Sequence, residues 1–405
     1  MQNKTIKKIT GVKFGVPKIW LNTRGDCWET CWAEDDCLYT VADDTRGIGD
    51  PETDRQRQGS NLALNVFRGS SLDDVQGETI NHMLDYGEQN AQVPEGCSDG
   101  CCWKAMGITS VDDVLYMSVG RHDYGGNNED LLNRQTAQNA SIIKSTDRGK
   151  TWTRPADINY QNPMFMGGKF GTPYFIHYGK AGQETVHNSD KYVYAVSNNG
   201  YWDNGDTMKL GRVLRSKIGE LNAADWEYYK GGDGMDNAAW SKSINDVMGW
   251  MTDNPGHILF APGKCSMTGA CYIEGLERYV MIQWYYTSGS GQNFGVSMSL
   301  GLPEYYTSGS GQNFVGSMSL GLPDPGHETV WDFYESPFPW GPWTKFHSHT
   351  WNPTGMYCPC IIPKFCSSDG SKIAIFTNGN FQSTLKEGAD CTYRLITLEC
   401  ELVLQ

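Results

Sequence analysis

Short apolar runs bounded by polar turns fill this sequence, and the periodicity of amphipathic helices is scarce. Most of the runs are rich in β-branched or aromatic residues and lead into Asp, Asn or Gly. This pattern is typical of strands in an all-β protein. Five of the runs resemble one another: Cys37–Val41, Val114–Ser118, Tyr192–Val196, Arg278–Ile282 and Lys372–Phe376.

The five runs recur at similar intervals. Their marker residues lie 77, 78, 86 and 95 positions apart; the markers are Leu38, Leu115, Val193, Tyr279 and Ala374. The last interval contains an internal tandem duplication, residues 285–323, in which Tyr285–Pro303 recurs almost unchanged as Tyr305–Pro323. Without one copy this interval shortens to 75. Five units of about 80 residues predict radial repetition of small sheets. We therefore expect one all-β domain, residues 1–405, that forms a five-bladed β-propeller with long decorating loops, one of which holds the duplication.

The segment Ser145–Trp152, STDRGKTW, fits the pattern S-x-D-x-G-x-T-W, which is known as the Asp-box. In such a turn the Ser and Asp side chains bond backbone amides, Gly supplies a positive φ, and Trp packs beneath. The motif therefore predicts a β-hairpin turn with a structural role, and it indicates nothing about a reaction.

Charge and composition narrow the range of partners. The formal net charge of −14 repels a polyanion, so a nucleic acid is not expected as a partner. No apolar run approaches the roughly 20 residues of a membrane span, so no membrane is expected either. The 14 Trp and 21 Tyr residues offer faces that stack on sugar rings, although a large all-β core uses the same residues. Carbohydrate is the favoured partner, and composition leaves the oligomeric state open.

Thirteen cysteines are many for a cytosolic protein, and they fall in local clusters. Clusters of this kind favour disulfides between loops in an oxidising compartment, so we expect an extracellular or secreted protein. No signal peptide is visible in MQNKTIKKIT, and we expect the sequence to be in its mature form. A zinc site is the alternative interpretation, but Cys97, Cys101 and Cys102 lack two C-x2-C knuckles.

Segments spread over most of the chain resemble a family of secreted propeller domains, long of unknown function, that includes endo-D-arabinanases. The resemblance implies a five-bladed propeller similar to arabinanase-type glycosidases, with a polysaccharide or oligosaccharide substrate. Furanoside polymers are one such substrate, and other propellers of similar appearance are polysaccharide lyases. The matching segments are Gly25–Trp28, Trp32–Tyr39, Tyr116–Val119, Ser145–Trp152, Phe170–Lys180, Gly275–Tyr279 and Tyr334–Trp343.

Hydrolysis of a glycosidic bond usually needs two carboxyl groups, which in a propeller project from strand ends into the central channel. Asp26 is the first candidate for base or nucleophile, because it opens the first unit. Glu335 lies in an aromatic, Pro-rich segment and is the candidate acid, and the adjacent pair Asp43 and Asp44 offers further carboxyl groups. The candidates for substrate binding are Trp28, Lys180, Trp202, Asp203, Trp340 and His349.

A second constellation points to a different reaction. Arg121 would neutralise a uronate carboxylate, while His122 or Tyr178 would abstract the C5 proton in a β-elimination. A polysaccharide lyase is therefore the alternative enzyme, and a non-catalytic lectin-like propeller is the alternative from another class. No P-loop, dinucleotide fingerprint or G-x-S-x-G elbow is present, so no cofactor is expected to be required. A structural calcium ion in the channel is compatible with a propeller, but the sequence names no ligands for any metal.

Overall fold

The structure is a computed structural model, and its regular structure is nearly all β, as the sequence predicts. Within the described residues, the helices are one α-helical turn, Arg215–Ile218, and short 3-10 turns at Leu84–Tyr86, Lys180–Gly182, Ala223–Asp225, Ile244–Val247, Glu274–Leu276 and Pro363–Phe365. Among the described residues, no helix has the length and apolar character that a bilayer crossing requires. The residues that the structure describes are 8–49, 59–89, 99–124, 134–155, 161–232, 234–247, 257–259, 263–287, 328–352, 354–379 and 391–405.

The chain begins with β1 (Ile9–Phe14) and β2 (Lys18–Ile19), which pair with its last strand. The first sheet then follows in chain order as β3 (Thr23–Trp32), β4 (Leu38–Ile48), β5 (Ser60–Arg68) and β6 (Gln76–Asn81). The second sheet has three strands, β7 (Cys102–Val111), β8 (Val114–Asp123) and β9 (Thr136–Ser145). Both sheets are antiparallel meanders.

Two further meanders come next. One contains β10 (Tyr174–His177), β11 (Tyr192–Asn198), β12 (Thr207–Leu214), β13 (Glu227–Gly231) and β14 (Ala239–Ser241), with β15 (His257–Leu259) also paired to β12. The other contains β16 (Ala270–Ile273), β17 (Arg278–Tyr286), β18 (Thr329–Ser336) and β19 (Thr344–Trp351). A short parallel pairing of β10 with β16 joins them edge to edge.

The last sheet unites the two ends of the chain. It contains β20 (Tyr357–Ile361), β21 (Lys372–Asn378) and β22 (Leu395–Leu404), and β1 from the N-terminus lies on the far side of β22. The pairing runs from Ile9 opposite Leu404 to Phe14 opposite Cys400. Consequently the sheet that ends the chain is complete only when its first strand is in place.

The five meanders follow one another in space as they do in sequence. β3 contacts β7, β7 contacts β10, β10 pairs with β16, β17 contacts β20, and β20 contacts β3. The five similar runs of the sequence lie in β4, β8, β11, β17 and β21, each of which is the second strand of its sheet. The regular spacing seen in the sequence therefore reflects equivalent positions in successive sheets.

Three of the opening strands carry one extra residue at similar depth. The pairings skip from Asp26 to Glu29 in β3, from Ala105 to Ile108 in β7 and from Tyr357 to Cys360 in β20, while each partner strand advances by two. Cys27 and Cys358, inside two of these bulges, have positive φ values of 50° and 48°. A bulge bends a strand and re-aims the side chains on either side of it.

The Ser145–Trp152 turn is held by its own side chains. The Gly149 amide donates to Ser145 Oγ at 2.7 Å, and the Thr151 amide donates to Asp147 Oδ1 at 2.9 Å. Gly149 has a φ of +86°, a conformation that a residue with a Cβ rarely adopts. These bonds join β9 to the segment that follows it.

The expected disulfides are not formed in the described part of the chain. Of the twelve cysteines that it contains, ten are buried. The closest pair is Cys27 and Cys358, whose Sγ atoms lie 2.8 Å apart between β3 and β20. The local clusters of the sequence therefore reflect thiols packed in a core, where cysteine behaves as a small apolar side chain. Cys97 and residues 288–327, with most of the duplication, lie outside the described residues.

The alternation along β1 provides a test of how the last sheet is completed. Val12 packs into the core, whereas the next residue, Lys13, makes an exposed ion pair with Glu401. Val12→Asp should lower the free energy of unfolding by about 3 kcal/mol or more, because it buries a carboxylate. Lys13→Asp should cost about 1 kcal/mol or less. Chemical denaturation measures both variants, and equal effects would contradict the assignment of β1 to this sheet.

Candidate active site

Three carboxyl groups and one amine lie close together near the start of β3, the middle of β4 and the start of β7. Asp26 on β3 pairs in register with Asp43 on β4, and Asp44 follows directly with a φ of +42°. Lys104 reaches them from β7 and forms an ion pair with Asp44 Oδ1. We refer to Asp26, Asp43, Asp44 and Lys104 as the carboxylate cluster. All four residues are buried.

Each carboxyl group of the carboxylate cluster has a different set of partners. Asp44 accepts from the Tyr124 hydroxyl at 2.8 and 2.9 Å in addition to its ion pair with Lys104. Asp43 Oδ1 accepts from the Ala105 amide at 3.0 Å. Asp26 Oδ2 accepts from the Tyr357 hydroxyl on β20. The other oxygens, Asp26 Oδ1 and Asp43 Oδ2, are buried without a hydrogen-bond partner.

Burial and neighbouring charges shift the pKa values of Asp26, Asp43 and Lys104. Burial and then the charge of Asp44 raise the pKa of Asp26 to about 7, although Lys104 and Tyr357 act to lower it. Burial also raises the pKa of Asp43 well above its usual value, against the opposing charge of Lys104. Burial acts to lower the pKa of Lys104, but Asp44 and the other carboxylates outweigh it and leave that pKa raised. The cluster thus combines a cationic amine with two carboxyl groups, Asp26 and Asp43, whose pKa values burial raises.

A neutral imidazole and two aromatic rings adjoin the carboxylate cluster. The His122 ring lies 4.4 Å from the Tyr124 ring and 4.6 Å from the Trp202 ring, measured between centroids. Its Nε2 atom is 3.0 Å from Gln135 Oε1. Burial, followed by the charge of Lys104, lowers the pKa of His122 well below its usual value. The ring is therefore uncharged at neutral pH.

The loop after β11 adds another carboxyl group. Asp203 is buried and its Oδ1 accepts from the Gln135 amide at 3.1 Å. Next to it, Asn204 bonds both the amide and the carbonyl of Tyr286 on β17. The Tyr286 ring lies 6.4 Å from the Tyr357 ring, whose hydroxyl bonds Asp26. Hydrogen bonds and ring contacts thus link residues of all five meanders, or of the loops that follow them, to the carboxylate cluster.

The structure brings together only some of the residues that the sequence nominated. Asp26, Asp43 and Asp44 lie in the carboxylate cluster, and His122, Trp202 and Asp203 border it. Glu335 lies elsewhere, on β18, where its Oε2 is 3.8 Å from Arg278 Nε. Burial raises the pKa of Glu335, yet no described contact joins it to Asp26.

The lyase constellation is not assembled. Arg121 is fully buried, forms a two-pronged bond to Asp99 at 2.9 Å and stacks on Trp103. Tyr178 follows the end of β10 and packs among the tyrosines of neighbouring strands, Tyr194, Tyr272 and Tyr279. Lys180 reaches Asp36, in the turn at the opposite end of β3 and β4 from Asp26.

The other expected substrate-binding residues serve packing. Trp28 is fully buried in a core cluster, with its Nε1 donating to the Gly25 carbonyl. The Trp340 ring stacks on Phe338 and Tyr229, and His349 on β19 packs against Phe14 and Trp351. None of these described contacts involves the carboxylate cluster.

Two central residues escaped the sequence interpretation. Lys104 is the one charged residue in the buried strand CWKAMGITSV, and a lone charge there indicates a buried partner. This signal was available in the sequence. Tyr357 gave no such signal, because its partner Asp26 lies 331 positions away.

No protein-family model matches this chain, and no curated protein matches it. Among solved structures, a putative hydrolase from Bacteroides ovatus is similar, with 16% identity over 93% of this chain and 85% of that one, at a TM-score of 0.46. An α-L-arabinanase mutant from Cellvibrio cellulosa shows 9% identity over 93% and 91%, at 0.45. A family 117 glycoside hydrolase from Zobellia galactanivorans shows 8% identity over 97% and 91%, at 0.45. At such scores the chemistry has to be derived from this chain's own residues.

The ion pair of the carboxylate cluster can be tested through stability. Lys104→Met should lower the free energy of unfolding by about 3–5 kcal/mol at pH 7, because it leaves the Asp44 charge buried without a cation. Adding Asp44→Asn to this variant should recover part of the loss. Lys372→Met, which removes an exposed ion pair with Glu399, is the control and should change stability by about 1 kcal/mol or less. Urea denaturation measures all three, and a Lys104→Met protein as stable as the control would refute a buried pair.

Proposed function

We propose that this chain is a glycoside hydrolase on a five-bladed β-propeller, and that the carboxylate cluster cleaves a glycosidic bond in a polysaccharide. The propeller is supported by the cyclic order of contacts between strands. These contacts run from β3 to β7, from β7 to β10, from β10 to β16, from β17 to β20, and from β20 back to β3. It is also supported by the last sheet, in which β1 completes strands from the other end of the chain. A channel at the centre of such a ring is where side chains of different sheets meet.

The observation that carries the proposed reaction is the contrast between Asp26 and Asp44. Asp26 has a pKa of about 7 and one oxygen without a partner, so it holds a proton that it can donate. Asp44 is paired with a cation and a tyrosine hydroxyl. Glycosidases use two carboxyl groups in different protonation states. In this assignment Asp26 is the general acid, whereas the sequence alone favoured it as base or nucleophile.

The proposed mechanism divides the work between the two groups. Asp26 protonates the glycosidic oxygen as the bond to the leaving sugar breaks. Asp44 stabilises the positive charge that develops on the sugar ring, and either directs a water molecule to the anomeric carbon or attacks that carbon itself. Lys104 and Tyr124 orient Asp44. The rings of Trp202 and Tyr286 provide apolar faces for the sugar.

The partners and location follow from this chemistry. The substrate is a polysaccharide or oligosaccharide, no cofactor takes part in the steps above, and an extracellular location suits a polysaccharide. A lyase is less well supported, because Arg121 and Tyr178 do not adjoin His122 in a shared pocket. A lectin-like propeller would bind the same sugars without needing protonated carboxyl groups in a buried pocket.

The proposal predicts which carboxyl groups are essential. Asp26→Asn should lower kcat/KM about 10²–10⁴-fold on a polysaccharide that the protein cleaves, since it removes the proton donor. Asp36→Asn, in the exposed turn at the other end of the same hairpin, should retain activity. Reducing ends and ultraviolet absorbance, followed across neutral and uronate-containing polysaccharides, distinguish hydrolysis from elimination. Unsaturated products would overturn the hydrolase, and binding without cleavage would favour the lectin.

The raised pKa of Asp26 predicts the direction of the pH dependence. A general acid acts only when it is protonated, so kcat/KM should fall roughly tenfold per pH unit above about pH 7. Lys104→Gln removes a cation that lowers this pKa, so the decline should move to higher pH. A pH–rate profile of both proteins measures the shift. A decline that stays in place, or moves to lower pH, would contradict the assignment of Asp26.

A further inference from the structure

A second group of ionisable side chains lies farther along the same opening strands. Glu29 on β3, His177 on β10 and Cys360 on β20 each offer one ligand atom, and these three atoms lie within 4.8 Å of one another. All three residues are more than nine-tenths buried. None of them belongs to the carboxylate cluster, and the proposed mechanism uses none of them.

The three side chains enclose a small cavity. Its volume is about 10 Å³, and Ala270, Cys271, Ile282 and Pro359 contribute to its walls. This is about the space of one water molecule or one ion. His177 is fixed at its edge because it pairs with Cys271 where β10 meets β16. Glu29 and Cys360 reach the cavity directly after the bulges of β3 and β20.

Burial around this cavity disfavours the charged forms of all three ionisable groups. Burial raises the pKa of Glu29 to about 8 and that of Cys360 well above its usual value, and it lowers the pKa of His177 to about 4. The hydrogen bond between Glu29 and Cys360 acts to lower the pKa of Glu29, against the effect of burial. Burial alone accounts for the lowered pKa of His177. Among the described residues, no cationic side chain offsets the cost of burying these three polar groups.

We propose that Glu29, His177 and Cys360 form a binding site for one divalent transition metal ion, preferentially zinc. Thiolate, imidazole and carboxylate together are a zinc ligand set, whereas calcium takes oxygen ligands only. At zinc–ligand lengths of about 2.0–2.3 Å, ligand atoms around one ion lie roughly 3.3–3.8 Å apart. The three atoms, which lie within 4.8 Å of one another, would approach to that spacing on binding.

The charges balance in this site. Binding of M²⁺ removes one proton from the Glu29 carboxyl group and one from the Cys360 thiol, while neutral His177 contributes a nitrogen lone pair. Two protons are released, and the occupied site has no net charge. Binding should therefore strengthen as pH rises. No oxidant or reductant takes part.

Metal content and spectroscopy test the site on the full-length protein without reference to activity. Chelator-treated protein is titrated with Zn²⁺ or Co²⁺ and dialysed, and bound metal is measured by elemental analysis. The protein with its unaltered sequence should bind about one ion per chain. With Co²⁺ it should show a thiolate-to-cobalt charge-transfer band in the near ultraviolet. Cys360→Ser should abolish the band, and His177→Gln should weaken binding at least about 10-fold.

The matched control is Cys400→Ser, which removes another buried thiol, on β22, and should leave the band and stoichiometry unchanged. Circular dichroism establishes that each variant is folded. Should Cys360→Ser fail to fold, Glu29→Gln provides the same test, with weaker binding expected. Absence of stoichiometric metal, or a band that persists in Cys360→Ser, would overturn the proposal.

Discussion

The buried ion pair between Lys104 and Asp44 is the interaction on which the candidate site depends. Three carboxyl groups lie together in the interior, where burial disfavours the charged form of a carboxyl group. One amine supplies a cation beside them, and it comes from a different sheet. Because the ion pair of Lys104 is with Asp44, the three aspartates of the cluster have different partners. This difference between partners is what gives adjacent aspartates different roles in the proposed mechanism.

The site also depends on the way in which the chain ends meet. Asp26 bonds Tyr357, and the Cys27 amide donates to Asn378 Oδ1 at 2.9 Å, so strands near the N-terminus are completed by residues near the C-terminus. The same two strands carry matching bulges, with Cys27 and Cys358 in contact between them. Left-handed conformations at non-glycine residues cost energy and persist where surrounding structure imposes them. Here the contact between the first and last sheets imposes them.

Much of the architecture could be predicted from the chain, because it follows from local pattern. The five apolar runs became the second strands of the five meanders. Asp44 and Asp203 could be nominated because they follow apolar runs, and Asp26 because it opens the first unit. Local pattern does not reveal which strand of a meander holds a given residue. Glu335 resembles Asp26 in sequence, being a carboxyl group among aromatics, but it lies on the third strand of its meander. Cysteine clusters misled for the same reason, since proximity in sequence is not pairing in space.

The bulge in β3 links the two groups of ionisable side chains. In a regular strand, residues three apart point to opposite faces, and the extra residue between Asp26 and Glu29 allows both to reach the interior while Trp28 packs in the core. A metal bound by Glu29 and Cys360 would add no net charge, because two protons leave as it binds. It would therefore leave the raised pKa of Asp26 nearly intact. Its contribution would be mechanical, since it would tie β3, β10 and β20 together beside the bulges that aim Asp26 and Tyr357 at each other.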